Sequence, residues 1–162
     1  MIKSVVGTNG SGTPGAVQSV ADILDRELKP LIADWLARVE KEPDLTCIPL
    51  NCEERTGHLP RLLHDVTARL RLDAETKAAI SQAAAHHGDL RRRQGYPVEM
   101  LIEESRLLQV CIFSMLHKNV RNLEFTKLLP DVVTIADEVD AQLKQQMQHF
   151  KAADAGLMAK LK

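Results

Sequence analysis

Apolar residues return at steps of three and four from Val17 onward, and nowhere do they alternate at the two-residue period of a strand. Val20, Ile23, Leu24, Leu28, Leu31, Ile32, Trp35, Leu36 and Val39 make one such face. Pro30 lies inside it and predicts a bend, or a split after Lys29. The stretch EPDLTCIPLN, 42–51, holds two prolines and no period, so it predicts a loop. A second helix is expected over about 53–72, with Leu59, Leu62, Leu63, Val66 and Leu70 inward and Pro60 at a break or a fresh first turn. Asp73 is a good N-cap for a third, from 74 to about 93, and Gly95 supplies a left-handed stop before Tyr96-Pro97 restarts the chain.

A fourth helix is expected over about 98–119, and RNLEFTK connects it to a fifth. In the fifth, Val132, Ala136, Val139, Leu143, Met147 and Phe150, resumed by Leu157 and Leu161, form a narrow stripe in polar sequence. Such a stripe serves a coiled-coil seam between two chains as well as it serves the inner face of a last bundle helix. The expected class is all-α, a single five- or six-helix bundle with a long C-terminal exit helix.

Length and charge narrow this further. A chain of 162 residues suits one domain around one core. The opening MIKSVVGTNGSGTPGAV dissolves into Gly, Ser, Thr and Pro, which predicts a flexible leader over 1–16 and not a signal peptide. The helical domain then covers 17–150, and 151–162 continues the exit helix or frays, Gly156 interrupting it. A net charge of -1 gives no argument for nucleic acid or an anionic membrane, and Arg91, Arg92 and Arg93 are offset by Glu99, Glu103 and Glu104. Aromatics at 3% are too few for base stacking. No apolar run approaches the ~18 residues of a membrane span. Cys47, Cys52 and Cys111 are odd in number and lack a C-x-x-C spacing, pointing to reduced thiols in a cytoplasmic chain.

The candidate chemistry is sparse. Six histidines invite a metal, yet none has a glutamate three residues before it, and no H-E-x-x-H occurs. His86 and His87 are adjacent and point about 100° apart on a helix, so neither metal nor other cofactor is expected. A haem or small-ligand globin-like sensor stands as one alternative, although only Trp35, Tyr96, Phe113, Phe125 and Phe150 are available to line a pocket. A second alternative is histidine phosphotransfer at His64, since His64-Asp65 resembles a phosphoacceptor pair of sensor kinases. No Gly-rich phosphate loop accompanies it. There is no Gly-x-Ser-x-Gly elbow, and Glu103-Glu104 diverge on a helix, so an enzyme is not expected.

The densest window is HHGDLRRRQGYPVEMLIEESRLLQ, 86–109. In an antiparallel hairpin about Gly95-Tyr96, residues equally far from the turn face each other. His87 then lies opposite Glu104, and Arg91, four residues from His87, lies one turn from Glu103 and Glu104. This spacing predicts a polar cluster of His87, Arg91 and Glu104 beside Tyr96, either pinning the helix register or receiving a small anionic ligand. Arg92, Arg93 and His86 are expected in solvent.

The same window resembles the N-terminal sensory domain of RsbR-type (RsbRD-like) co-antagonists in bacterial signalling. The resemblance rests on His87, Arg91, Gln94-Gly95-Tyr96, Leu101, Glu104 and Arg106-Leu107-Leu108 in that order. The Trp35 helix, Leu59-Pro60-Leu62-Leu63 and the exit helix fall in the matching order over most of 17–150. Gln109 and Pro97 depart from the family's pattern. The resemblance implies a non-catalytic input domain related to globins without haem, often joined to a histidine kinase, a regulator or a stressosome output. With the narrow stripe, it leads to the expectation of a homodimer through the C-terminal helix that passes a signal to an output domain or partner protein.

Overall fold

The computed structural model describes residues 16–73 and 75–161. The expected leader therefore lies outside the described residues except for Ala16, which is exposed. The order is α1 (Val20–Arg26), α2 (Leu28–Val39), α3 (Pro43–Thr46), α4 (Cys52–Thr56), α5 (Leu59–Leu70), α6 (Gln82–Arg93), α7 (Val98–Lys118), a 3-10 turn (Val120–Asn122) and α8 (Phe125–Lys160). The chain is all-α, with one isolated bridge between Gln18 and Leu123 and no strand among the described residues.

Each boundary that differs from expectation has a local cause. The first helix splits at Glu27 and not after Lys29, because the Pro30 ring would strike the carbonyl four residues back, at Arg26. Part of 42–51 forms the short α3, whose first residue is Pro43. The largest difference is α6, which begins at Gln82 instead of 74. Ser81 wins the cap: its Oγ accepts the Ala84 N–H at 3.0 Å and donates to Asp65 at 2.5 Å, while its own N–H donates to Gln145 at 2.6 Å. Those bonds outweigh the helical propensity of the alanines before it.

The exit helix starts earlier than its stripe, at Phe125, and runs 36 residues, about 54 Å, through both Pro130 and Gly156. Pro130 costs only the bond to the Thr126 carbonyl, on an exposed first turn. One face of α8, Ile135, Val139, Gln142, Gln146 and Phe150, is buried against the bundle. Val139 and Phe150 of the expected stripe are thus core residues, and Val132, Ala136, Leu143 and Met147 lie half-buried beside them. The most exposed apolar residues of α8 stand near its start, Phe125, Leu129 and Val133 at 79%, 75% and 67%, with Met158 exposed near its end.

The core gathers Trp35, Leu59, Leu63, Val66, Leu101, Ile112 and Ile135 from α2, α5, α7 and α8. Against it α6 and α8 make the most extensive helix contact in the molecule. They meet at Gly88, where a side-chain Cβ would stand 2.1 Å from the Gln146 carbonyl oxygen and 2.7 Å from its Cα. Only glycine lets two backbones approach so closely.

Candidate functional site

The α6–α7 hairpin turns at Gly95, whose φ of 85° is the left-handed conformation that the stop required. That turn brings His87, Arg91, Tyr96 and Glu104 into one buried cluster. Arg91 is 0% exposed, and its guanidinium has five N–H groups to satisfy. Four of the five donate hydrogen bonds, and the other faces Glu104 in an ion pair. Nε donates to Glu104 Oε2 at 3.1 Å and Nη2 reaches Glu104 Oε1 at 3.1 Å, a two-pronged fork. Nη1 donates to the Glu54 carbonyl at 3.0 Å and to Gln94 Oε1 at 2.8 Å, and Nη2 to the Arg55 carbonyl at 2.9 Å. The last three fix the C-terminal hairpin turn and cap α4, a helix too short to use its own last carbonyls. Arg55 repeats the device one layer out, donating to the Leu45 and Ile48 carbonyls at 2.9 and 2.8 Å.

Glu104 is equally saturated. Its Oε1 also accepts the Tyr96 hydroxyl at 3.0 Å, and its Oε2 faces His87 Nε2 at 3.2 Å. Because an ionised carboxylate only accepts, His87 carries its proton on Nε2 and presents Nδ1 as a lone pair. Burial pushes the Glu104 pKa up, but the His87 bond and the Arg91 charge outweigh it, and the group settles below the usual carboxylate value. Burial and the Glu104 charge push the Tyr96 phenol up. The Glu104 backbone carbonyl accepts the Trp35 indole N–H at 3.1 Å, tying α2 to the same point.

The residue that spacing did not reveal is His58. It precedes α5, and its ring stacks on His87 with centroids 3.5 Å apart and planes 10° from parallel. Trp35 meets it edge-on at 5.9 Å. Both imidazole Nδ1 atoms are buried without a hydrogen-bond partner. Burial depresses the His58 pKa well below 6.5, helped by the His87 and Arg91 charges. Burial also depresses His87, with Glu104 opposing and Arg91 and His86 adding to the effect.

These neutral imidazoles set a pH dependence. As pH falls below about 6.5, an unfolded chain takes up two protons that the folded one refuses, so folding stability drops with falling pH. The limiting slope is about 2.7 kcal/mol per pH unit for two groups, spread between 6.5 and the lowered folded values. Urea midpoints should be flat from pH 8.5 to 7.5 and fall steadily from 6.5 to 5. His58→Phe should remove about half of that slope, and a midpoint unchanged down to pH 5 would refute the neutral stacked pair.

His58, His87 and Glu104 present donor atoms within 4.8 Å of one another, a His-His-carboxylate set that zinc accepts. An ion there would face the Arg91 charge and require its fork to open, because all four Glu104 lone-pair positions are engaged. The set fits a hydrogen-bonded joint better than a metal centre. The cavity beside it, lined by Trp35, His58, His87, Glu104, Gln142 and Gln146, measures about 10 Å³. Haem needs a pocket of at least about 300 Å³, so this interior does not admit a porphyrin.

A surface groove of about 410 Å³ approaches from outside, between the Glu53–Gly57 turns and α6, and His58, Arg61, His86 and Gln94 line it. His58 thus belongs both to the groove wall and to the buried stack. His64 is exposed, but Asp65 accepts from Ser81 and not from this imidazole. His86 and Arg93 face solvent as expected. Arg92 does not: it pairs with Asp154 of α8 and lies 5.6 Å over the Phe150 ring. Cys47 and Cys52 are exposed free thiols, whereas burial and Asp34 push the Cys111 thiol up to about 12, where it stays protonated.

The fold and site define a class: a helical domain with a saturated ionic joint at its centre. Searches against family models, curated proteins and solved structures find no match to this chain. No described helix is long and apolar enough to cross a membrane.

Proposed function

We propose that this chain is a non-catalytic sensory or regulatory input domain of the RsbR type, acting in cytoplasmic signal transduction. One observation carries the reading, an unbroken run of contacts from solvent to the exit helix. The groove ends on His58, His58 stacks on His87, and Gly88, the next residue, seats the Gln146 backbone of α8. A ligand or proton that disturbs His58 therefore acts on the joint and on α8 together. Relaying the change is the task of α8, which runs 36 residues from Phe125 to Lys160.

The outward connection is a second copy of the chain. Phe125, Leu129 and Val133 recur at four-residue steps on the exposed side of α8, and half-buried Val132, Ala136, Leu143 and Met147 continue the stripe. Sedimentation equilibrium should give a dimer for the chain and a folded monomer for the Phe125→Lys, Leu129→Lys double variant. A wild-type monomer at high micromolar concentration would remove the relay.

A further inference from the structure

A second cavity lies apart from the histidine stack, where α5, the segment before α6 and the middle of α8 converge. It measures about 110 Å³, and Asp65, Arg69, Leu72, Ile80, Ser81 and Glu138 define its walls. By comparison with a cavity of about 150 Å³ that holds benzene, it admits about four to six non-hydrogen atoms. Its chemistry is unusual for so small a space. The Arg69 side chain is 8% exposed, yet its Nε and Nη1 have no hydrogen-bond partner among the described residues. Among the described residues its charge meets only loose partners, Asp137 at 3.5 Å and Glu138 at 4.0 Å.

A buried guanidinium with three idle N–H groups, one on Nε and two on Nη1, is costly, since each orphaned donor loses its water without replacement. The carboxylates that line the cavity also have other partners. Asp65 Oδ2 accepts from Ser81, and Glu138 Oε1 accepts from Gln142 Nε2 at 3.1 Å. The cavity thus sets one cation with idle donors beside the carboxylates of Asp65 and Glu138, with Leu72 and Ile80 as apolar walls. A plain anion would satisfy Arg69 but meet Asp65, Asp137 and Glu138, and a plain cation would leave Arg69 as it is. A molecule carrying both charges satisfies both sides.

We propose that this cavity binds a small zwitterion, an amino acid about the size of glycine or alanine, its carboxylate on the Arg69 guanidinium and its ammonium between Asp65 and Glu138. Leu72 and Ile80 then cover a short side chain and set the size limit. Leu72 and Ile80 are exposed at 54% and 77%, so they stand at the mouth. The ligand would clamp α5 to α8, because Arg69 sits on α5 and Glu138 on α8. This site goes beyond the sensory reading and holds or fails without it.

The test uses the intact chain and three probes: L-alanine, propionate and ethylamine, each at up to 20 mM. Alanine should raise the melting temperature and shift the amide resonances of Arg69, Ser81 and Glu138 saturably. Propionate and ethylamine, which present one charge each, should do neither to a comparable extent. Glu138→Gln should weaken alanine binding at least tenfold while the variant stays folded, since glutamine keeps the shape of the carboxylate. An equal response to propionate and alanine would overturn the zwitterion assignment. Absence of saturable shifts at those three amides with any amino acid from glycine to leucine would overturn the site.

Discussion

Arg91→Ala should lower the unfolding free energy by about 3–5 kcal/mol, a large share of the about 5–15 kcal/mol that holds an ordinary domain folded. The size of the effect comes from what the substitution strands, not from the pair it removes. Glu104 would remain 4% exposed with its counter-charge gone, and the Glu54 and Arg55 carbonyls would lose their donors. Arg91→Lys should recover little, because an ammonium cannot present the fork to Glu104 and reach three further acceptors from one position. Glu104→Gln is milder, since the amide oxygen still accepts one prong. Combining Arg91→Met with Glu104→Gln should cost less than the sum of the two single losses, by about 1–3 kcal/mol. Urea unfolding of the wild type, Arg91→Met, Glu104→Gln and the double variant gives this directly. A loss below about 1 kcal/mol in Arg91→Ala would mean that the cluster carries no buried charge worth pairing.

Gly88→Ala should be as damaging for a steric reason. The added methyl would overlap the Gln146 backbone, so α6 and α8 must separate by more than 1 Å to reach an ordinary contact. Overpacking of side chains costs about 1–3 kcal/mol, and this collision is with a main chain held along a whole helix, so about 3 kcal/mol or more is expected. Gly156→Ala is the matched control. Nothing lies within 4 Å of its added carbon, and alanine there should be neutral or stabilise by up to about 1 kcal/mol. Thermal melts of the two variants decide the point. A Gly88→Ala protein melting with the wild type would show that the helices do not touch where they are drawn together here.

The hairpin was legible because it is a local structure. Gly95 had to supply positive φ, and a fixed turn makes distance from it a measure of who faces whom, so His87, Arg91 and Glu104 could be placed together from spacing alone. His58 was not legible in that way. It lies 29 residues before His87 at the entrance of a helix, and no periodicity links the two positions. The polar sequence around the stripe of the last helix misled for the opposite reason. Polar letters suggest solvent, yet Gln142 is buried and donates to the Leu62 carbonyl and to Glu138, and Gln146 supplies backbone to the Gly88 contact. Following Ile135, Val139, Gln142, Gln146 and Phe150 by helical step instead of by hydropathy would have found that face. Arg69 was missed likewise: between apolar neighbours on α5, its burial depends on where α8 comes to rest.

The early start expected for α6 has a related cause. Asp73 and the following alanines satisfy every local rule for a helix, and Ser81 prevails only because Asp65 and Gln145, distant in sequence, meet it there. The stripe on α8 was ambiguous on its own terms, and the bundle took part of it.

The claim at the centre of this account is that the His58–His87–Glu104 joint and the exit helix are held as one unit. Native-state hydrogen exchange on Glu104→Gln, read at the amides of α8 from 142 to 150, tests it most directly. Coupling predicts that these amides lose protection together with those of α6 and by the same factor. Unchanged protection across 142–150, with loss confined to α4, α6 and α7, would contradict it.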